Sequence, residues 1–224
     1  MIKVHDRVYL VGGYGLSRPE DCLVYLLRGD GELALIDCGV GGSVDAIMRN
    51  VASLDLEPQQ VKYVVATHGH IDHIGGLAQL KEKGVLVVAH REDLPAITRS
   101  DSRLNAADMY GIKYRPVEVD LVVAGEAWDL PVGGQTLHLL HTPGHTPGSM
   151  AGYVDTDGLR ILFGQDIHGP FSPAWKSNLK QWRRSMERLI ALKADILCEG
   201  HHGVIEGREK VEQFIRRHLQ ANPG

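Results

Sequence analysis

Thr67-His68-Gly69-His70-Ile71-Asp72-His73 sets three histidines and an aspartate within six residues, between a β-branched run and a segment with helical spacing. Imidazole nitrogen and carboxylate oxygen are the donors that zinc, iron and manganese accept. In an extended segment alternate side chains point the same way, so His68 and His70 can converge on one ion while Asp72 and His73, just past the turn, face another. A lone histidine near a strand end is usually solvated or hydrogen-bonded to its surroundings. Four donors at this spacing, with glycines at 69, 75 and 76 around them, are not accounted for by packing. One short loop then feeds two metal sites.

Outward from this loop, Val61 to Ala66 reads as a buried strand that delivers the chain to His68, and Ile74 to Lys83 as a helix closed at Gly84. Val85 to Ala89 reads as the next strand. Upstream, strand-like patterns cover Lys3 to Val11, Cys22 to Arg28 and Glu32 to Asp37, and Val44 to Leu54 has helical spacing with Ser43 as its N-cap. Asp37 stands at a strand tip, either orienting a ligating histidine or serving as an ordinary turn aspartate. Between 91 and 119 the pattern changes: Asp93 to Ala107 is helical but poorly periodic, and Tyr110 and Tyr114 lie in an irregular stretch. Such an insertion suits a lid over the metals, and equally a surface-packed helix or a dimer contact.

The second half delivers more donors in the same manner. A hairpin, Ala127 to Leu130 and Gln135 to Leu140, runs into Thr142-Pro143-Gly144-His145-Thr146-Pro147-Gly148-Ser149. Met150 to Val154 and Arg160 to Phe163 are strands, the latter reaching Gly164-Gln165-Asp166. Asn178 to Leu192 is an amphipathic helix with Trp182 on its core face. Ala194 to Cys198 is a strand that delivers Glu199-Gly200-His201-His202, and Arg208 to Leu219 is a last helix. His68, His145, Asp166 and His201 thus each stand just beyond the carboxyl end of a strand, where loops can meet at one rim of a layered fold.

The 224 residues suit one domain, or two closely merged halves, and are enough to bury a core. An apolar share of 43% and a charged share of 23% belong to a soluble globular chain. A net charge of −4 with no Lys/Arg cluster argues against nucleic acid or an anionic membrane and leaves a small-molecule substrate. Cys22, Cys38 and Cys198 are odd in number and sit in apolar runs, as buried free thiols in a reducing compartment do. With no apolar leader and no run long enough to span a bilayer, the expected location is cytoplasmic.

Taken together and in order, Asp37-Cys38-Gly39, Thr67 to His73, Thr142 to Ser149, Gly164-Gln165-Asp166 and Gly200-His201 resemble the metallo-β-lactamase superfamily, and within it the glyoxalase II-like metallohydrolases. The resemblance implies an α/β (α+β) chain folded as a four-layer αββα sandwich, one domain over 1–224 made of two similar halves, about 1–115 and 116–224. It also implies that His68, His70 and His145 hold a first metal, that Asp72, His73 and His201 hold a second, and that Asp166 bridges them. The β-lactamases with a cysteine ligand carry it at the position of Asp166, so antibiotic hydrolysis is disfavoured. Glyoxalase II proper has a helical extension where this chain has one helix. The Gly-Arg-Ser/Thr-Asp-Phe signature of glyoxalase-like and persulfide-oxidising relatives is replaced by Ile167-His168-Gly169-Pro170-Phe171.

The expected function is a binuclear metal-dependent hydrolase acting on an ester, thioester, lactone or phosphoester through a hydroxide shared by two divalent ions, zinc before iron or manganese. Asp72 orients the nucleophile, Tyr110 or Tyr114 contacts substrate, and His168 and His202 are candidates for proton transfer to the leaving group. Two alternatives stand beside it: a mononuclear iron oxidoreductase like the persulfide dioxygenases, using His68, His70 and Asp166, and a non-catalytic metal-binding module. A homodimer is compatible with either.

Overall fold

Side-chain alternation along the strands sorts the apolar residues into three cores, which makes the molecule four layers thick. The computed structural model describes residues 1–99 and 101–223. A first sheet holds, in chain and spatial order, β1 (Ile2–His5), β2 (Val8–Gly12), β3 (Val24–Arg28), β4 (Leu33–Ile36), β5 (Val61–Val65), β6 (Leu86–His90) and β7 (Leu121–Val123). It is antiparallel up to β4 and parallel from β4 to β7. A second sheet is built from β8 (Ala127–Val132), β9 (Gln135–His141), β10 (Met150–Thr156), β11 (Leu159–Phe163), β12 (Ile196–Glu199) and β13 (Gly203–Glu206), ordered β13-β12-β11-β10-β9-β8. Only its β11–β12 pair is parallel.

On β3 and β4, Val24, Leu26, Leu33 and Leu35 face an outer core with α1 (Val44–Ala52) and α3 (Leu77–Glu82), while Tyr25, Leu27, Ala34 and Ile36 face the middle core. The second sheet mirrors this. Ile161, Phe163 and Cys198 enter the middle core, whereas Leu162 and Leu197 pack outward on α6 (Leu179–Ala191) and α7 (Arg208–Ala221). Strands buried on both faces take apolar residues at most positions, which is why β3 to β6 read as nearly continuous apolar runs, broken at exposed Lys62 and Arg28. Trp182 on α6 is fully buried in this second outer core. All three cysteines are buried and free.

Several local expectations change. Lys3 to Val11 is not one strand, because Asp6 and Arg7 turn the chain between β1 and β2. Ser43 precedes α1 but does not cap it; its hydroxyl donates to Asp21 Oδ1 at 2.8 Å. The helix after the histidine-rich loop begins earlier, as one turn, α2 (Ile71–Ile74), that continues after Gly75 and Gly76 into α3. The stretch Asp93 to Ala107 is broken: a 3-10 turn at Arg91–Asp93 leads into α4 (Leu94–Ile97), and a short α5 (Ala107–Tyr110) follows an irregular segment. β7 and β13, not foreseen as strands, complete the sheet edges. The loops after β4, β5, β9, β11 and β12 gather at one rim.

Candidate metal centre

The loop after β5 is positioned from below by Asp37. This residue sits in the left-handed region at φ +64, a conformation that costs an aspartate energy and persists only where contacts hold it. Its buried carboxylate accepts from the Thr67 amide and hydroxyl, both at 2.8 Å, and lies 2.8 Å from His73 Nδ1. The Thr67 hydroxyl in turn lies 3.2 Å from His68 Nδ1. With one ring nitrogen of each imidazole occupied, His68 and His73 present Nε2 to the rim.

Two donor groups result. His68, His70, His145 and Asp166 form one, and Asp72, His73 and His201 the other. In the first, His70 Nδ1 lies 3.1 Å from His68 Nε2 and 3.0 Å from His145 Nε2. Asp166 Oδ2 stands 3.8 Å from His68 Nε2 and 3.5 Å from His145 Nε2. In the second, Asp72 Oδ2 is 3.6 Å from His73 Nε2 and 3.3 Å from His201 Nε2. Asp166 Oδ1 is 3.3 Å from His73 Nε2 and 3.4 Å from His201 Nε2. The two oxygens of Asp166 therefore face one group each. Gly200 permits this approach, since a Cβ there would stand 2.6 Å from Asp166 Oδ1.

These donors fit divalent ions. Nitrogens bound to zinc at about 2.0–2.1 Å in a tetrahedron lie roughly 3.3 Å apart, the spacing found in both groups. His73 Nε2 and Asp166 Oδ1 are buried and make no hydrogen bond among the described residues, so each still requires a partner. Burial, with the His73 imidazole beside it, holds His68 well below the ordinary histidine range; burial and His145 do the same to His70. Burial also lowers His145, to about 4, so the first group offers neutral imidazoles, the form that ligates. In the second group burial is outweighed: the Asp166, Asp37 and Asp72 carboxylates raise His73, and the Asp166 and Asp72 carboxylates, 3.4 and 3.3 Å away, raise His201 to about 10. Its carboxylates call for positive charge.

Several residues with no obvious sequence signal complete the site. Asp93, buried, ties the two ligand loops together: Oδ2 accepts from the Gly69 amide at 2.8 Å and the Thr146 hydroxyl at 2.6 Å, and Oδ1 from the Gly148 amide at 2.7 Å. Trp175 lays its ring 4.5 Å from that of His70 and 6.1 Å from that of His145, forming an apolar wall. The Ser177 hydroxyl donates to the His145 carbonyl at 2.7 Å.

The expected substrate residues separate. Tyr110 is exposed, and its phenol is raised by the partial burial of its hydroxyl end and by the nearby Asp72 carboxylate. Tyr114 is not at the site: it packs in the first outer core and its hydroxyl donates to the Ile97 carbonyl at 3.0 Å. Its neighbours in an irregular stretch gave no periodicity by which to assign its face. His168 and His202 lie at the edge of the centre, around Glu199, with the His168 ring 5.2 Å from that of His201.

Comparison with known proteins accords with this geometry. A metallo-beta-lactamase fold-containing protein, ST1585, of Sulfurisphaera tokodaii is 27% identical over 231 residues, covering 91% of this chain and 83% of its own. A hydroxyacylglutathione hydrolase of Anaeromyxobacter dehalogenans is 33% identical over 149 residues, 66% of this chain and 47% of that protein. The solved structure of a B3 metallo-beta-lactamase with an active-site glutamic acid superposes with a TM-score of 0.81 at 26% identity, covering 99% of this chain and 89% of that one. The profile of the metallo-beta-lactamase superfamily matches residues 17–201, which span every donor described above, and the chain belongs to that superfamily.

Proposed function

We propose that the protein is a binuclear metal-dependent hydrolase of an ester, thioester, lactone or phosphoester. The observation that carries this reading is the placement of Asp166, one oxygen toward each donor group, which suits a carboxylate shared by two ions. Two divalent ions, zinc by preference for these nitrogen and oxygen donors, would supply an acidified water and a Lewis acid for the substrate oxygen.

The chain's own residues do the rest. His68, His70, His145 and Asp166 would hold one ion and Asp72, His73, His201 and Asp166 the other. Asp72 is buried, and its carboxylate orients the attacking water while accepting that water's proton. Trp175 seats an apolar part of the substrate against His70 and excludes bulk water from that side. Similarity to a hydroxyacylglutathione hydrolase and to an N-acyl homoserine lactonase keeps thioester and lactone substrates foremost among the four classes.

Elemental analysis and initial rates on a thioester, a lactone and a phosphodiester test the reading. Two ions per chain, with hydrolysis removed by chelation and by Asp72→Ala, is the expected result. A single iron with oxygen consumption and no hydrolysis would replace it with the oxidoreductase.

A further inference from the structure

A second set of donors converges beside the centre and takes no part in it. His168 follows Asp166 by two residues, and His202 follows His201. Donor atoms of His168, Glu199 and His202 lie within 4.8 Å of one another. Glu199, at the end of β12, is fully buried. Its Oε2 accepts from the amides of His201 and His202 at 2.7 and 2.8 Å, and Oε1 lies 3.0 Å from His168 Nδ1.

His218, from α7, supplies a fourth group. Its ring is 5.7 Å from that of His202 and 6.4 Å from that of His168, and its buried Nε2 has no hydrogen-bond partner among the described residues. Phe214 closes one side, 5.5 Å from the His202 ring and 4.6 Å from the His218 ring. Glu199 Oε2 alone satisfies the loop amides. A turn-stabilising role therefore leaves unexplained why His168 meets the other oxygen and why the His202 and His218 rings, from separate elements, gather beside it.

We propose that His168, Glu199, His202 and His218 form an auxiliary site for an imidazole-preferring divalent transition metal: zinc, nickel or copper. Glu199 either ligates through Oε1 or keeps its bond to His168 Nδ1 and turns the His168 Nε2 to the ion, the arrangement by which carboxylates commonly orient metal-bound histidines. The buried Glu199 anchors the site, and exposed His202 leaves it open to exchange, so it fills after the principal centre. An ion there links α7 to the loop that carries His201. The site is independent of how many ions the principal centre holds.

Zinc titration of the metal-stripped protein against a chromophoric competitor tests this, comparing the wild type with His202→Gln/His218→Gln and with His70→Gln/His73→Gln/His145→Gln/His201→Gln, which removes imidazoles from both groups of the principal centre. The wild type is expected to bind one equivalent more than the first variant, and the second variant to retain that equivalent. Copper bound to the second variant should show imidazole nitrogen couplings in its paramagnetic resonance spectrum, lost when His168→Gln is added. Equal zinc uptake by the wild type and a folded His202→Gln/His218→Gln overturns the proposal. Should that variant not fold, absence of the nitrogen couplings overturns it instead.

Discussion

The carboxylate of Asp37 lies 2.8 Å from Nδ1 of His73, and the same oxygen accepts the hydroxyl of Thr67 at 2.8 Å. Asp37 thereby fixes which nitrogen of His73 faces Asp72 and Asp166. Replacement by alanine frees the ring and strands the Thr67 amide. Asp37→Ala is expected to weaken metal binding at the Asp72, His73 and His201 group by roughly 10–100-fold, the usual cost of removing such a partner, with a smaller effect at the other donor group. Chelator competition measured ion by ion checks this.

Asp93 is expected to matter for stability as much as for metal. It accepts from Gly69, Thr146 and Gly148, so Asp93→Ala leaves the two buried amides unpaired, while the Thr146 hydroxyl can turn to Ser149 Oγ at 2.9 Å. At about 1–3 kcal/mol for each stranded donor, a loss on the order of 4 kcal/mol is expected in urea denaturation. Burial raises the Asp93 carboxyl while the same three donors oppose that rise. Asp93→Asn, which keeps one acceptor oxygen, should lose less.

Gly144 precedes His145 at φ +138, and a Cβ there would stand 2.2 Å from the backbone nitrogen of Trp182. Gly144→Ala must push the His145 loop off α6. The expected outcome is destabilisation of about 1–3 kcal/mol with reduced metal content, read by thermal unfolding and elemental analysis.

His90 and His141 stack with centroids 3.8 Å apart, and burial followed by the neighbouring imidazole holds His90 down at about 4. In the unfolded chain a histidine titrates near about 6.5, so below that pH the unfolded state takes up the proton first. The contribution of His90 is thus fully present above the unfolded pKa and is lost as pH falls through the window towards 4. Denaturation midpoints at about pH 7 and about pH 5 should differ more in the wild type than in His90→Gln.

What could be read from the sequence was what is local. His68, His70, Asp72 and His73 announce themselves by spacing, and the apolar runs of β3 to β6 announce a sheet buried on both faces. Asp93 could not be read, because its three donors are 24, 53 and 55 residues away in the chain. Tyr114 was misplaced because the segment that carries it has neither helical nor strand periodicity, and only packing decides its direction. Ser43 has the residue type of a cap, but buried Asp21 competes for its hydroxyl. β13, short and half-buried, carries too little apolar pattern to stand out.

The division of strands between the sheets has a consequence for how the chain could be cut. Strands of the first sheet end at Val123 and those of the second begin at Ala127. His68, His70, Asp72 and His73 belong to the first segment; His145, Asp166 and His201 belong to the second. Neither segment owns a complete donor group. A chain severed between these strands would become a pair of fragments joined by the shared middle core, with bound ions acting as a latch that tightens the union as free metal concentration rises.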